Sequence, residues 1–394
     1  MNRRLFSGLI TAVAIVSTLA LTGQGASQTP EPAASLPVVA HEWGTFTSIA
    51  AANGSAANWQ TLGGPQDLPC FVGGYPAEVK IGWMGTVRME TPVIYFYAQA
   101  DTTVRVSVKF RQGLITETYP SGTLPPLPYA SAVMGGIDWP VVRITPGAVE
   151  HFPFAQPASS HYYAARATDA SPLEVNGQQE KFLFYRGVAG FQPPISATVS
   201  PDGRVTVKAI GSGPLGDVIV FQNRGGEMAY QVKSISGPTG TFERFAHNGE
   251  AIAPLDELER LLVAQGLFAK EAKAMVATWR DSWFEEGTRL FYIAPKPFVD
   301  ETLPLAITPA PATVTRVFVG RVELVTPDRE AAVRAALERR DTATLLKFGR
   351  FLQPISDRIL VTMTESARKP LLDALGSVNA ASPATPAPRC QATN

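Results

Sequence analysis

The sequence predicts an α+β fold: an antiparallel β-sandwich-like body with a helical C-terminal part. Two observations predict the body, because short apolar runs recur over residues 38–250 and turns rich in glycine and proline separate them. A third predicts the helices, since after residue 253 the apolar positions recur with a helical period instead of alternating. Glycine and proline number 33 each among 394 residues, in keeping with many turns.

The strands follow from their hydrophobic patterns. Residues 103–111 alternate apolar and polar side chains, which is typical of an antiparallel strand with one face on the core. Residues 93–97 are apolar on both faces and predict a central strand, and residues 181–188 are similar.

Two hairpins are marked by their turn residues. In residues 197–207, Pro201 presets φ for a turn and Gly203 supplies a residue that tolerates positive φ. Residues 217–230 repeat this arrangement around Gly225-Gly226. Both segments therefore predict antiparallel pairs.

The helical part begins at Pro254. Residues 254–265 and 269–286 carry apolar stripes at helical spacing, and Trp279 and Trp283 continue the second stripe as core residues. Strands are expected at 289–293 and 313–326, and two or three helices within 328–378. We therefore expect a β domain over 38–250 and an α+β segment over 251–378 packed on it. The late strands could equally complete the first sheet and make one domain.

The two ends of the chain predict export. Residues 1–26 combine Arg3 and Arg4, an uncharged apolar run and small residues suited to cleavage, which predicts a secretory signal and a periplasmic or secreted protein. An uncleaved anchor is the alternative, and the Arg-Arg-Leu-Phe start also resembles a twin-arginine signal beside the ordinary Sec type. Residues 27–37 predict a Pro/Ala-rich spacer and residues 379–394 a disordered tail.

Charge and cysteine content exclude several classes. Lysine plus arginine and aspartate plus glutamate are equal at 34 each, so no charge excess points to nucleic acid or an anionic membrane. No membrane span is expected after signal cleavage. Two cysteines are too few for a four-cysteine zinc site. Cys70 and Cys390 could form a disulfide in an oxidising compartment, or be two unrelated thiols.

Histidine is the scarce residue. As a strand residue, His41 shares a face with Trp43 while Glu42 points to the opposite face, so the adjacent pair cannot chelate one ion unless the backbone is irregular at Gly44. The chain has four histidines, at His41, His151, His161 and His247. For His41 the alternative is a structural hydrogen bond beside a packed tryptophan.

The other histidines lie in different contexts. His161 stands beside Tyr163 in a polar-aromatic segment that predicts a strand. The alternative for His161 is a histidine satisfied within the core. His247 lies in a predicted turn and is expected to be solvated.

Two carboxylates complete the candidate site. Glu90 follows Arg88 on the same face of a strand that leads into the central run, where the pair could be structural or functional. Asp281 and Glu285 lie off the apolar stripe of the second helix, so they are either solvated or line a cleft beside the sheet.

These residues support two hypotheses for function. The first is a periplasmic hydrolase with Glu90 and Asp281 as catalytic carboxylates and with His41 and His161 as ligands of a divalent transition metal, or as a metal-free acid–base set. The second is a non-catalytic protein whose aromatic side chains bind a small-molecule or glycan ligand or an envelope component. The sequence specifies neither the substrate nor the oligomeric state.

Four segments resemble those of a family of exported bacterial proteins to which no activity is assigned. They read His41-Glu-Trp-Gly-Thr-Phe-Thr-Ser, Met89-Glu-Thr-Pro-Val-Ile-Tyr-Phe-Tyr, Lys181-Phe-Leu-Phe-Tyr-Arg-Gly and Thr278-Trp-Arg-Asp-Ser-Trp-Phe-Glu-Glu. The similarity spans most of residues 38–326. It implies export and a common fold and brings no catalytic residues with it.

Overall fold

The computed structural model describes residues 36–62, 68–75, 83–125, 134–155, 160–211, 214–245 and 254–381. The expected signal, nearly all of the spacer, His247 and Cys390 lie outside these residues, so export and the Cys70–Cys390 disulfide stay predictions. Within them, no helix is both long enough and apolar enough to cross a membrane.

The described residues form seventeen strands. They are β1 (Leu36–Ile49), β2 (Gly73–Gly74), β3 (Val87–Ala98), β4 (Thr102–Arg111), β5 (Gly113–Tyr119), β6 (Met134–Ile144), β7 (Leu173–Val175), β8 (Gln178–Glu180), β9 (Leu183–Ala189), β10 (Ile195–Val199), β11 (Val205–Ala209), β12 (Gly216–Arg224), β13 (Glu227–Ile235), β14 (Thr239–Phe242), β15 (Gly287–Ile293), β16 (Leu305–Thr308) and β17 (Pro311–Leu324).

The described residues also form seven α-helices and two 3₁₀ helices, His161–Arg166 and Gly349–Phe351. The α-helices are α1 (Pro254–Ala264), α2 (Ala269–Trp283), α3 (Lys296–Thr302), α4 (Pro327–Glu338), α5 (Thr342–Leu346), α6 (Leu352–Val361) and α7 (Glu365–Ala381). Helix α7 therefore includes the first three residues of the expected tail.

A nine-stranded sheet organises the fold, in the order β13-β12-β15-β17-β1-β3-β9-β5-β2. The late strands β15 and β17 lie inside this sheet, so residues after 251 and residues before 250 build one sheet together. The expected α+β class is confirmed. The expectation of an antiparallel body needs one correction, because β1 and β17 pair in parallel. Their separation along the chain leaves ample length for the crossover that parallel pairing requires.

The two faces of this sheet are covered differently. One face packs against a five-stranded sheet, β16-β4-β6-β7-β8, and a three-stranded sheet, β10-β11-β14, in a shared apolar cluster. The predicted alternation of β4 is confirmed, since its valines are buried and its charged residues exposed. The other face packs against α1 and α2, where Trp279 and Trp283 are buried as expected.

Local turn and cap chemistry explains two further outcomes. Both predicted hairpins form, with positive φ at Gly203, Gly225 and Gly226. The expected strand around His161 is wrong, because this segment is a 3₁₀ helix whose N-cap, Ser160, accepts a hydrogen bond from the backbone N–H of Tyr162. Serine at an N-cap favours a helical turn here over the strand that the neighbouring aromatic residues favour.

The last four helices, α4 to α7, pack around an apolar cluster of their own. Ile49, Trp59 and Val325 belong to that cluster and connect the helices to one end of the nine-stranded sheet. The sequence predicted two or three helices here, and the short α5 accounts for the difference. Helices α4 and α5, together with residues 347–351, form one wall of the pocket described next.

Candidate functional site

A pocket of about 870 Å³ lies on the helical face of the nine-stranded sheet. Its floor comes from β3, β9, β12 and β15, and one wall from the end of α2 and the segment that follows it. The opposite wall is formed by the start of α4, by α5 and by residues 347–351. The cavity therefore lies where three parts of the chain, distant in sequence, meet.

The pocket exists because the sheet face changes from apolar to charged along its strands. On β17, Val317 and Val319 pack in the apolar cluster with α2, and the next two residues on that face are Arg321 and Glu323. On the neighbouring strands, apolar side chains also give way to charged or polar ones at the same distance along the sheet. Cross-strand pairs at this level are Arg289↔Glu323, Thr47↔Arg321, Thr45↔Glu90 and Arg186↔Glu117.

The pair Arg289–Glu323 anchors this charged region. Both side chains are fully buried, and Arg289 Nε lies 3.0 Å from Glu323 Oε2. Arg289 Nη1 also donates to the carbonyl oxygen of Trp283 at 2.9 Å. Glu323 accepts a second contact from Arg329 Nη1 at 3.2 Å, and these arginines lower the pKa of its carboxyl against the opposing effect of burial. The pair thus ties the end of α2 and the start of α4 to the sheet.

Arg321 is the most unusual residue of the group. Its side chain is fully buried, Nη2 donates to Glu285 Oε1 at 2.8 Å, and neither Nε nor Nη1 has a hydrogen-bond partner among the described residues. Burial, together with repulsion from Arg289 and Arg350, lowers its pKa to about 10. An unpartnered buried donor of this kind costs about 1–3 kcal/mol, and more when charged. Arg321 stays protonated at neutral pH and adds positive potential beneath the pocket.

Glu90 is the second buried carboxylate of this charged region. It accepts hydrogen bonds from Thr47 Oγ1 and Arg350 Nη1, each at 2.6 Å, and Arg88 Nε lies 3.4 Å from its Oε1. Burial raises the pKa of this carboxyl, but Arg350, Arg88 and Arg321 together outweigh burial and lower it to about 2. Glu90 is therefore ionised in the folded protein at any pH well above 2.

One aromatic ring gathers three of the arginines. The guanidinium carbons of Arg321, Arg329 and Arg350 lie 5.6, 5.9 and 5.1 Å from the centroid of the Phe351 ring. Arg329 also lies 5.4 Å from the ring centroid of Phe348. Because cations are attracted to aromatic faces, these rings hold like-charged groups close together that would otherwise separate.

A glycine makes the approach of Arg329 possible. Gly287 has φ of +135°, and a Cβ added there would lie 2.0 Å from Arg329 Nη1 and 2.8 Å from Arg289 Nη2. No other residue type fits this position without displacing a guanidinium. Gly287 thus shapes the pocket floor.

The rim of the pocket carries His161 and Trp279. Their ring centroids are 6.1 Å apart, and His161 Nε2 lies 3.8 Å from Asp281 Oδ2. Asp281 itself is exposed and does not line the pocket, whereas Glu285 and Glu286 do. Of the two alternatives for the charged residues of α2 and its end, Asp281 is solvated and Glu285 lines the cleft.

His41 lies elsewhere. Its Nδ1 is 2.7 Å from Glu271 Oε2, and Tyr97 donates its hydroxyl to the other oxygen of Glu271 at 2.8 Å. The His41 ring is buried and packs 4.5 Å from that of Phe268. Glu42 points to the opposite face, as alternation predicts, and accepts a hydrogen bond from Arg316. These contacts match the structural alternative for His41.

The structure does not bring His41 and His161 together as one metal site. They contact opposite ends of α2 through Glu271 and Asp281, which are ten residues and so about 15 Å apart along the helix axis. Among the described residues no group of three or more His, Cys, Asp or Glu side chains has a metal-binding arrangement. Of the four site residues predicted from the sequence, Glu90 and His161 line the pocket, whereas His41 and Asp281 do not.

The arginines supplied late in the chain were missed by sequence reasoning. The sequence predicts that Arg88 and Glu90 share a face but predicts no role for Arg321, Arg329 or Arg350. One signal was available, since Arg321 and Glu323 place two charges at alternate positions of an otherwise apolar strand. Nothing local marks Arg350, because its contact with Glu90 joins residues 260 positions apart.

No protein-family model and no curated protein sequence matches the chain. Among solved structures, it is similar to the yeast delta-COP-I mu-homology domain, at 10% identity, with a TM-score of 0.29 and coverage of 74% of this chain and 97% of that one. The same domain complexed with a Dsl1 WxWxV peptide gives 9% identity, a TM-score of 0.29 and coverage of 74% and 98%. At this TM-score, neither fold nor function follows from the likeness.

Proposed function

We propose that this protein binds a small organic anion in the pocket between the nine-stranded sheet and the C-terminal helices. The observation that carries the proposal is the surplus of arginine at one end of the cavity. Arg88, Arg329 and Arg350 in the lining, with Arg289 and Arg321 directly beneath it, contact three carboxylates, Glu90, Glu285 and Glu323. Partly buried arginines are the preferred partners of carboxylate and phosphate groups.

Two features support binding over a purely structural role. First, a structural ion-pair network gains most when its donors are satisfied. Among the described residues, however, Nε of Arg329 in the pocket lining has no hydrogen-bond partner, and neither do Nε and Nη1 of Arg321 beneath it. Second, the charges border a cavity of about 870 Å³, within the size range of pockets for small organic ligands. A network that served stability alone would be expected to fill its space.

The test compares a matched pair of probes, benzoate and benzyl alcohol, by isothermal titration calorimetry. We expect benzoate to bind at least about tenfold more tightly, because only benzoate offers an anion to the arginines. Lys347→Gln at the exposed rim is expected to weaken benzoate binding about two- to fivefold, and Arg350→Gln about tenfold or more. Arg105→Gln, in an exposed pair with Asp138 on β4, is the control.

Equal affinities for the two probes, or benzoate binding that survives both pocket substitutions, would refute the proposal. Because Arg350 also pairs with buried Glu90, circular dichroism must show that Arg350→Gln is folded. If Arg350→Gln does not fold, Lys347→Gln still tests the proposal. Among the described residues Lys347 forms no ion pair, so removing its charge leaves no buried partner uncompensated.

Hydrolysis of an anionic ester is a second candidate, and His161 is the observation that favours it. Its imidazole lines the pocket with Asp281 nearby. In such a reaction Nδ1 of His161 would accept a proton from water as the water attacks the ester, and Asp281 beside Nε2 would stabilise the imidazolium. The ester bond to the alcohol would then break, and the imidazolium would return the proton to the departing oxygen. Glu90 would not serve as a general acid, because its pKa of about 2 keeps it ionised. The metal-assisted form has no support from the separated positions of His41 and His161.

The hydrolysis test uses 4-nitrophenyl phosphate and the His161→Gln variant. Turnover by the wild type that falls about 100-fold or more in the variant, with affinity retained, would support catalysis. Absence of turnover by the wild type would leave binding as the function of the pocket. Export to the periplasm or beyond remains part of the proposal and rests on the sequence of residues 1–26.

A further inference from the structure

We propose that the ligand of this pocket is an organic dianion, a molecule that joins two negative charges to an apolar portion. This inference rests on the anion-binding function proposed above and narrows it to one chemical class. Three properties of the cavity support it: the net charge of its lining, the side chains that offer accessible positive charge, and the aromatic residues of its walls.

The lining carries two more positive than negative charges among the residues that the structure describes, with His161 counted as neutral. The six cations are Arg88, Arg186, Arg224, Arg329, Lys347 and Arg350, and the four carboxylates are Glu90, Glu285, Glu286 and Asp328. The charged residues directly behind the lining are balanced. Arg289 and Arg321 there lie against Glu323, and the fourth buried group, Glu117, pairs with Arg186 of the lining. Two cations and two carboxylates behind the lining leave its surplus of two unchanged.

A surplus of two charges selects the charge of the ligand. Bringing like charges together in a partly buried site is unfavourable unless opposite charge compensates them. A dianion neutralises the lining, whereas a monoanion leaves one positive charge uncompensated and a neutral molecule leaves two. We therefore expect a dianion to bind more tightly than a monoanion of the same shape and size.

Three cations are placed to contact such a ligand directly. Lys347 is exposed at the rim, and 12% of the Arg329 side chain and 15% of the Arg350 side chain are accessible. Both arginines pack against the ring of Phe351, which keeps their guanidinium groups in fixed positions. Planar guanidinium groups held in this way bind phosphate or carboxylate oxygens in pairs. Phosphate monoesters and dicarboxylates share this chemistry.

The apolar portion follows from size and wall composition. A volume of about 870 Å³ is far larger than an inorganic phosphate ion requires. Trp279 and Phe348 line the cavity together with the ring of His161. Aromatic walls of this kind gain free energy by covering an organic group and gain nothing from a bare ion.

The experiment measures affinity for two matched probe pairs by calorimetry at pH 8. Phenyl phosphate and benzenesulfonate share a ring and a tetrahedral group but differ by one charge at this pH, and succinate and succinamate differ likewise. We expect at least about tenfold tighter binding of the dianion in one of the pairs. Tighter phenyl phosphate identifies a phosphate monoester as the ligand chemistry, and tighter succinate identifies a dicarboxylate.

Two substitutions change the surplus in opposite directions. Arg329→Gln lowers it to one and should weaken dianion binding at least about threefold, with less effect on the monoanion. Glu285→Gln raises it to three and should strengthen dianion binding at least about threefold, while its amide oxygen can still accept from Arg321. Glu257→Gln, at a half-buried position of α1 outside the pocket and in a pair with Arg260, is the control.

The outcomes separate this inference from the proposed function. If no anion binds the wild type, the anion-binding function fails. If monoanions and dianions bind equally, or if Arg329→Gln and Glu285→Gln shift affinity in the same direction, anion binding stands and the dianion inference is overturned. Inorganic phosphate binding as tightly as phenyl phosphate would overturn the organic portion alone.

Discussion

Replacement of Glu90 by glutamine tests the buried ion cluster beneath the pocket. The change removes one negative charge but keeps the volume and one acceptor oxygen, so its effect reports charge more than packing. Glu90 is buried, and Arg350 and Arg88 contact it directly. Without its carboxylate, these arginines lose their compensating charge in a region where water cannot replace it.

The magnitude follows from the pKa of Glu90. A shift from 4.5 to about 2 corresponds to about 3 kcal/mol of stabilisation by the ionised form at neutral pH. Because the pKa is lower in the folded state, this stabilisation is complete above pH 4.5 and is lost as the pH falls towards 2. The difference between wild type and Glu90→Gln should therefore be about 3 kcal/mol at pH 7 and about 2 kcal/mol at pH 3.5.

Urea denaturation followed by circular dichroism measures this difference at both pH values. Glu174→Gln, in an exposed pair with Arg143, is the control and is expected to change the free energy of unfolding by less than about 1 kcal/mol. A loss below about 1 kcal/mol at pH 7 for Glu90→Gln would refute the reasoning. So would a loss that grows as the pH is lowered, because that is the sign expected of a group with a raised pKa.

Three further predictions concern packing and export. Trp283→Ala should lower the free energy of unfolding by about 3–5 kcal/mol in urea denaturation, because its side chain is fully buried against Phe291, and a loss below about 1 kcal/mol would contradict its core role. Gly287→Ala should lower it by about 1–3 kcal/mol and weaken benzoate binding, because the new Cβ displaces Arg329, and unchanged affinity would argue against that cradle. N-terminal sequencing of protein from the native cell should begin near Ala26 or Ser27, and an intact Met1 in a cytoplasmic fraction would disprove export.

The fold could be predicted where local chemistry determines it. The hairpin at Gly203 and the alternating strand β4 follow from residues a few positions apart, and the structure confirms both. The parallel pairing of β1 with β17 could not be predicted, because it joins segments from opposite ends of the sheet-forming chain. Hydrophobic pattern identifies a strand but does not specify its neighbour.

The candidate site also has a part that local sequence predicts and a part that depends on distant residues. The shared face of Arg88 and Glu90 follows from alternation in one strand, and the structure confirms their contact. Their environment depends on Arg350, which a different part of the chain brings to Glu90. The sequence also favoured histidine because it is rare, whereas the charged surplus comes from arginine, a residue too common to attract notice by its count.

The central claim is that the arginine-lined pocket holds an organic anion. A crystal structure of the protein with phenyl phosphate tests it most directly. We expect density for the ligand inside the cavity, with phosphate oxygens about 2.7–3.0 Å from nitrogens of Arg329 and Arg350 and the phenyl ring against an aromatic wall. An empty pocket under conditions in which calorimetry shows binding, or phenyl phosphate bound only elsewhere on the protein, would contradict the claim.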